Sequence, residues 1–216
     1  MKTQRLCSLL TAAGVLLASV PFAPRLLPES TLTAYAADEG YFGQNLYYTL
    51  DDEGTLTITG TGAMKDGSNK FSENPDIRSI VISEGVTSIG DNVFEKCNEL
   101  TSVTIPDTVT SIGERAFYEC GSLAEINIPD AVTTIGAYAF WNCINLSALH
   151  IPDGLTSIEE GTFGQCYNLT DVNIPDSVTS IGEYAFYRCK SLTEIRLPDS
   201  VAEIGAYAFE VCSGLK

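Results

Sequence analysis

The chain has 216 residues, 44% of them hydrophobic and 19% charged, and a formal net charge of −16. That is globular material with room for one domain and a short appendage, not a disordered tail. The acidity repels phosphates and anionic headgroups, and no Lys/Arg cluster offsets it, so nucleic acid and electrostatic membrane attachment are excluded as expected partners; it suits an extracellular protein that must stay soluble.

Residues 1–36 read as a signal peptide. Met1-Lys2-Thr3-Gln4-Arg5 is a short basic start, Leu6 to Ala23 is almost wholly apolar, and Ala34 and Ala36 supply an A-x-A cleavage site. Cleavage is expected after Ala36 or Ala37. The competing reading is an uncleaved anchor, because the apolar run is nearly long enough to span a bilayer. Pro21, Pro24 and the small-residue site favour the signal peptide. A lipoprotein Cys would follow the apolar run, whereas Cys7 precedes its bulk, so lipidation is not expected. The mature chain is expected to be secreted or at the cell surface, with no membrane insertion after cleavage.

Residues 37–76 come next. Asn45 to Leu50 and Thr55 to Gly60 alternate apolar and polar around the turn Asp51-Asp52-Glu53-Gly54, which predicts a β-hairpin.

From Arg78 the chain repeats every 23 residues. RSIVISEGVTSIGDNVFEKCNEL is followed by five closer copies, from TSVTIPDTVTSIGERAFYECGSL at Thr101 to TEIRLPDSVAEIGAYAFEVCSGL ending at Leu215, without an insertion. Three columns recur: Phe94, Phe117, Phe140, Phe163, Phe186 and Phe209; Ile89, Ile112, Ile135, Ile158, Ile181 and Ile204; Leu100, Leu123, Leu146, Leu169, Leu192 and Leu215. One unit cannot bury such a face alone, but stacked units bury the columns against one another. Val103-Thr104-Ile105 has strand period, and Pro106, lacking an N–H, ends that strand. Val109 to Ile112 predicts a second short strand, Gly113 a break, and Glu114 to Cys120 a helical or 3₁₀ turn. The expected fold is a mostly β solenoid of six 23-residue coils of short parallel strands over residues 77–216. The hairpin at 37–76 would cap its open first coil.

The pattern Leu100-x-x-Val103-x-Ile105-Pro106-x-x-Val109-Thr110-x-Ile112-Gly113-x-x-Ala116-Phe117-x-x-Cys120, recurring through Cys212, closely resembles the BspA-type leucine-rich repeat. The resemblance implies a leucine-rich-repeat solenoid. Members of that family are typically secreted or surface-attached, and several adhere to host proteins or other cells, so the resemblance also implies a binding role.

Several residue sets are candidates for chemistry. Cys97, Cys120, Cys143, Cys166, Cys189 and Cys212 recur every 23 residues. An even count in a secreted protein suggests disulfides. Yet equivalent residues in neighbouring coils sit about 4.8 Å apart with parallel Cβ vectors, where a disulfide wants Cβ atoms about 3.8 Å apart and turned together. A ladder of buried thiols is the favoured reading, strained cross-links the alternative. Zinc is disfavoured because a linear ladder does not converge on a point. Asp107, Asp130, Asp153, Asp176 and Asp199, with Glu84 in the first coil, offer stacked carboxylates for Ca²⁺. One Asp per coil supplies few oxygens, though, and Pro-Asp is ordinary turn chemistry. No metal or other cofactor is expected.

Tyr118, Trp141 and Tyr187 follow the Phe ladder directly, and Tyr138, Tyr184 and Tyr207 precede it by two. These rings read as half-exposed on the convex side, where they either shield the turn or hold a sugar or a protein. On the strand face the outward positions vary while the core columns stay fixed: Glu125, Asn127, His150, Asp171, Asn173, Glu194 and Arg196 are the candidate binding residues there. His150 is the single His of the chain, which leaves little for a Ser-His-Asp or Cys-His arrangement. With no nucleotide or zinc-protease motif either, no enzyme is expected.

Lys216 falls where a seventh coil would begin. A fragment of a longer protein, end-to-end self-association through the open coil, and fraying all fit, and the fragment is favoured. Coil four departs from the rest, with Glu159 at the Gly position and Thr162 at the Ala position; if that Gly needs positive φ, coil four is strained. The expected function is an extracellular or cell-surface binding module for a protein ligand. A carbohydrate-binding module using the aromatic rows, and a passive spacer, are the alternatives.

Overall fold

A computed structural model of the chain describes residues 38–42, 45–67 and 69–216. The expected signal peptide lies outside the described residues. The repeat dictates the architecture, because identical residues at a fixed period can only bury identical side chains by stacking. β5 (Ser79–Ile82), β7 (Ser102–Thr104), β9 (Glu125–Ile126), β11 (Ala148–His150) and β13 (Asp171–Asn173) line one side of the coils. β4 (Gly62–Ala63), β6 (Val86–Ile89), β8 (Ser111–Ile112), β10 (Thr134–Ile135), β12 (Ser157–Ile158), β14 (Ser180–Ile181) and β15 (Glu203–Ile204) line another. Pairing within each side is parallel, one coil apart, as in Leu149 opposite Val172 and Ile158 opposite Ile181. This is the solenoid of short parallel strands that the repeat predicts.

The hairpin is present and has more than two strands. β1 (Asp38–Tyr41), β2 (Leu46–Leu50) and β3 (Thr55–Gly60) pair antiparallel. The Asp51 carboxylate accepts from the Glu53 and Thr55 N–H groups at 3.1 and 2.7 Å and fixes the turn. β3 then turns its other edge to β5 in parallel, so it ends the hairpin and begins the stack. Phe71 stacks on Phe94 with ring centroids 5.9 Å apart, 23 residues ahead of it. The Phe ladder continues to Phe209 with successive centroids 5.4–5.7 Å apart. The Leu and Ile columns lie beside it, buried from coil one to coil five.

The segment Glu114 to Cys120 is not the expected helical or 3₁₀ turn. Alternate N–H groups reach the next coil: Arg115 to the Ala137 carbonyl at 3.0 Å, Phe117 to Ala139 at 2.8 Å and Glu119 to Trp141 at 2.7 Å. The N–H groups between them close tight turns within the coil, as Cys120 does to the Phe117 carbonyl at 3.2 Å. A helix would spend its N–H groups internally and leave the coils unjoined on this side. The alternation needs two left-handed residues per coil, Arg115 and Glu119 here (φ 51° and 59°), with equivalents in the other coils.

The Gly column does not need positive φ. Gly113, Gly136, Gly182 and Gly205 are not among the residues with positive φ. They are small because the preceding coil's backbone passes over them: a Cβ on Gly136 would meet Glu114 N at 2.5 Å, and one on Gly182 would meet Glu160 N at 2.6 Å. In coil four Glu159 occupies this column, and there the sheet parts. β10 and β12 do not pair, whereas β8 pairs with β10 and β12 with β14. On the strand side the sheet parts one coil earlier, between β7 and β9. Ala124 stands there in place of the Thr or Ser whose hydroxyl in coils two, four and five bonds the preceding coil, as Thr101 does to the Arg78 carbonyl at 2.9 Å.

Close approach makes a prediction. Gly182→Ala is expected to destabilise the fold by about 1–3 kcal/mol in urea unfolding. Gly121→Ala, whose added Cβ would meet nothing nearer than 3.8 Å, is expected to stay within about 0.5 kcal/mol of the parent.

Candidate functional site

The six repeat thiols are free and buried. Each donates to the carbonyl of the ladder Phe in the preceding coil, from Cys97 to Phe71 at 3.1 Å through Cys143 to Phe117 at 3.2 Å to Cys212 to Phe186 at 3.0 Å. The sulfur therefore fills space and also ties a turn to its neighbour, which spacing alone does not reveal. Burial pushes the Cys97 thiol up to about 12 and those of Cys120, Cys143, Cys166 and Cys189 well above the ordinary range. Such thiols stay protonated and are poor nucleophiles.

On the strand face, Val103, Ile126, Leu149 and Val172 point inward and are buried, while the residues between them are exposed. Glu125, Asn127, Ala148, His150 and Asp171 line one open groove with Thr101 and Ser102. The parallel register sets Glu125 beside Ala148 and then Asp171, and His150 beside Asn173. Asn173 and Arg196 are joined by a bridge and share a second hollow with Asp153 and Asp176. Glu194 is exposed in coil six. The His150 ring lies 3.0 Å from an Asp130 carboxylate oxygen, a partner that strand patterning alone did not supply.

The turn face carries the aromatics. Tyr138 meets Trp141 edge-on at 5.4 Å, Tyr184 meets Tyr187 edge-on at 5.4 Å, and Tyr184 stacks on Tyr207 at 5.2 Å. Trp141 and Tyr187 are parallel at 6.2 Å although a whole coil separates theirs. Tyr118 stands apart from these rings, beneath the Arg115 guanidinium. Tyr138, Tyr184 and Tyr207 occupy left-handed positions of the turns. The Tyr138 hydroxyl donates to Glu160. Burial together with that carboxylate pushes Tyr138 up to about 12, and burial raises Tyr184 and Tyr118. Sequence reasoning named the rings but missed Gly161 and Gly164, which make room for them. The signal was legible in Gly161-Thr162-Phe163-Gly164 against Tyr138-Ala139-Phe140-Trp141.

Thr162, fully buried, satisfies its hydroxyl on the Glu159 carbonyl at 2.9 Å. Among the described residues no three acidic, His or Cys groups converge as a metal site, and no helix is long and apolar enough to cross a membrane.

Comparison with known proteins places this geometry among bacterial repeats. The sequence model of the BspA type leucine rich repeat region matches residues 65–175 and 156–216, in 6 copies. No curated protein matches the chain. Among solved structures, a leucine rich cell surface protein from Faecalibacterium prausnitzii is 35% identical, with a TM-score of 0.66 over 82% of this chain and 53% of that one. The chain thus spans about half the length of that relative. A leucine rich repeat protein of T. pallidum is 26% identical, with a TM-score of 0.67 over 81% of this chain and 89% of that one. A leucine-rich repeat protein from Eubacterium ventriosum, 22% identical over 83% of this chain and 71% of that one with a TM-score of 0.56, shares the fold.

The thiols give a pH prediction. Unfolded thiols ionise near 9.0, while the folded Cys97 holds its proton to about 12. Between those values the folded state binds protons that the unfolded state has lost, so stability falls as pH rises, by about 1.4 kcal/mol per pH unit for each thiol. Cys143→Ala is expected to make that decline shallower by one such increment in urea titrations above pH 9. An unchanged slope would show that the Cys143 thiol is not held protonated by the fold.

Proposed function

Because the chain belongs to the BspA-type leucine-rich repeat family, we propose that it is a non-catalytic module, secreted or at the cell surface, that binds another extracellular protein through its strand face. One observation carries the reading. The inward residues of β7, β9, β11 and β13 are uniformly aliphatic and buried, while the outward ones differ in charge and size from coil to coil. Stacking constrains the first set and leaves the second available for recognition. Parallel pairing fixes Glu125, Asp171, His150 and Asn173 in register with the neighbouring coil, so less entropy is lost when a partner orders them. The relative from Faecalibacterium prausnitzii is named as a cell surface protein, which supports the location. The acidity supports electrostatic steering toward a partner with a basic patch.

The test is a surface-binding assay of the protein against a panel of extracellular-matrix proteins. Binding to one of them is expected to weaken about tenfold in Glu125→Ala/Arg196→Ala, to weaken further as salt rises from low to physiological levels, and to persist in Trp141→Ala. Binding that survives the strand-face changes, or silence across the panel, would overturn the proposal.

A further inference from the structure

The turn-face rings exceed what the core requires. The Phe ladder already closes the interior beneath them, and Tyr138, Trp141, Tyr184 and Tyr187 are only half-buried. Tyr138 and Trp141 project from coil three, Tyr184 and Tyr187 from coil five. Coil four, between them, has Gly161 and Gly164 at the two corresponding positions. A Cβ on Gly164 would sit 2.2 Å from the Trp141 ring, and one on Gly161 would sit 2.4 Å from the Tyr138 ring. The glycines therefore let the coil-three rings lie across coil four, and Trp141 reaches a ring two coils away. Four rings gather on one continuous surface that no uniform repeat would produce.

The charges around the rings decide what suits them. Arg115 lies over Tyr138 at 5.6 Å and Arg188 over Tyr187 at 5.0 Å. Glu160 accepts the Tyr138 hydroxyl, Glu183 stands near both Tyr138 and Tyr184, and Glu210 near Tyr184. An incoming cation meets two guanidinium groups over the rings and an incoming anion meets three carboxylates around them, so the surface suits neither sign. A neutral ligand with an apolar face and a hydroxylated rim gains from both: its C–H face packs on the rings, its hydroxyls donate to the glutamates and accept from the arginines. A pyranose has that shape. We propose that Tyr138, Trp141, Tyr184 and Tyr187, assembled over Gly161 and Gly164, form a binding site for neutral hexopyranose chains. The site shares no residue with the strand face and does not rest on the protein-binding reading. A proline-rich peptide also stacks on aromatic grooves, but it makes less use of the flanking carboxylates and guanidiniums.

Trp141 is the single Trp of the chain, so its fluorescence reports on this site alone. The protein would be titrated with cellohexaose, maltohexaose and mannohexaose, with oligogalacturonate and a proline-rich peptide as contrasts. A saturable emission change with at least one neutral hexasaccharide is expected. Tyr187→Ala should weaken it at least about tenfold. Gly164→Tyr should push the Trp141 ring off coil four and abolish it, with the melting temperature measured alongside; if that variant unfolds, Tyr187→Ala, which removes a half-buried ring and adds no clash, carries the test. No saturable change with any of the three sugars, undiminished binding in both variants, or a response confined to the uronate or the peptide would overturn the proposal.

Discussion

Each coil has to present its backbone to the next at the spacing of neighbouring parallel strands, about 4.8 Å. The rest of the structure follows from that constraint. Ladders on two sides and the alternating turn hydrogen bonds on a third all run from coil to coil. Side chains of equal register are forced into contact with their own kind. Rings stack, aliphatics form columns, and where one coil's backbone crosses closely over the next the residue is glycine, as at Gly136 and Gly182. Cysteine at the turn's end is small enough for the interior and still donates to the Phe carbonyl of the coil before it. The left-handed residues are a strain, roughly 1 kcal/mol or more each for non-glycines, and the turn-side hydrogen bonds offset it.

Function is written in the exceptions to that constraint. Outward strand positions escape it, so Glu125, His150 and Arg196 differ where Ile126 and Leu149 cannot. Coil four escapes it in a second way. Glu159 enters the glycine column and the ladder opens beside it, while Gly161 and Gly164 remove side chains on the turn side and Trp141 spreads into the space. A coil that had kept Tyr, Ala, Phe and Trp in that stretch would have held its neighbours' rings apart.

The fold was legible because the period-23 columns carry one physical message, and residues as plain as Phe94, Ile112 and Leu146 sit where that message puts them. The turn at Glu114–Cys120 was not. Its apolar spacing imitates a helix, and what defeats the helix is a hydrogen bond to a residue 22 positions on, which no local pattern encodes. What the Gly column is for was not legible, for a related reason. Gly113 answers to the backbone of another coil and not to its own φ. On the candidate surfaces the aromatic residues and the variable strand positions stood out in the alignment of coils. Their grouping did not, since Trp141 meeting Tyr187 depends on what coil four lacks.

Coil three is fastened unusually. Its second-side strand β10 pairs with coil two but not with coil four, while its first-side strand β9 pairs with coil four but not with coil two. The Phe stack and the turn bonds pass through it unbroken. In a one-dimensional stack, where each unit is held only by its two interfaces, this leaves coil three with a weakened seam on each side, placed on different faces. The solenoid is in this respect a spring with a soft turn: the strand ladders give way on opposite sides of coil three while the core column runs through it, and sub-global opening is expected to divide the molecule there into a hairpin-capped half and a distal half.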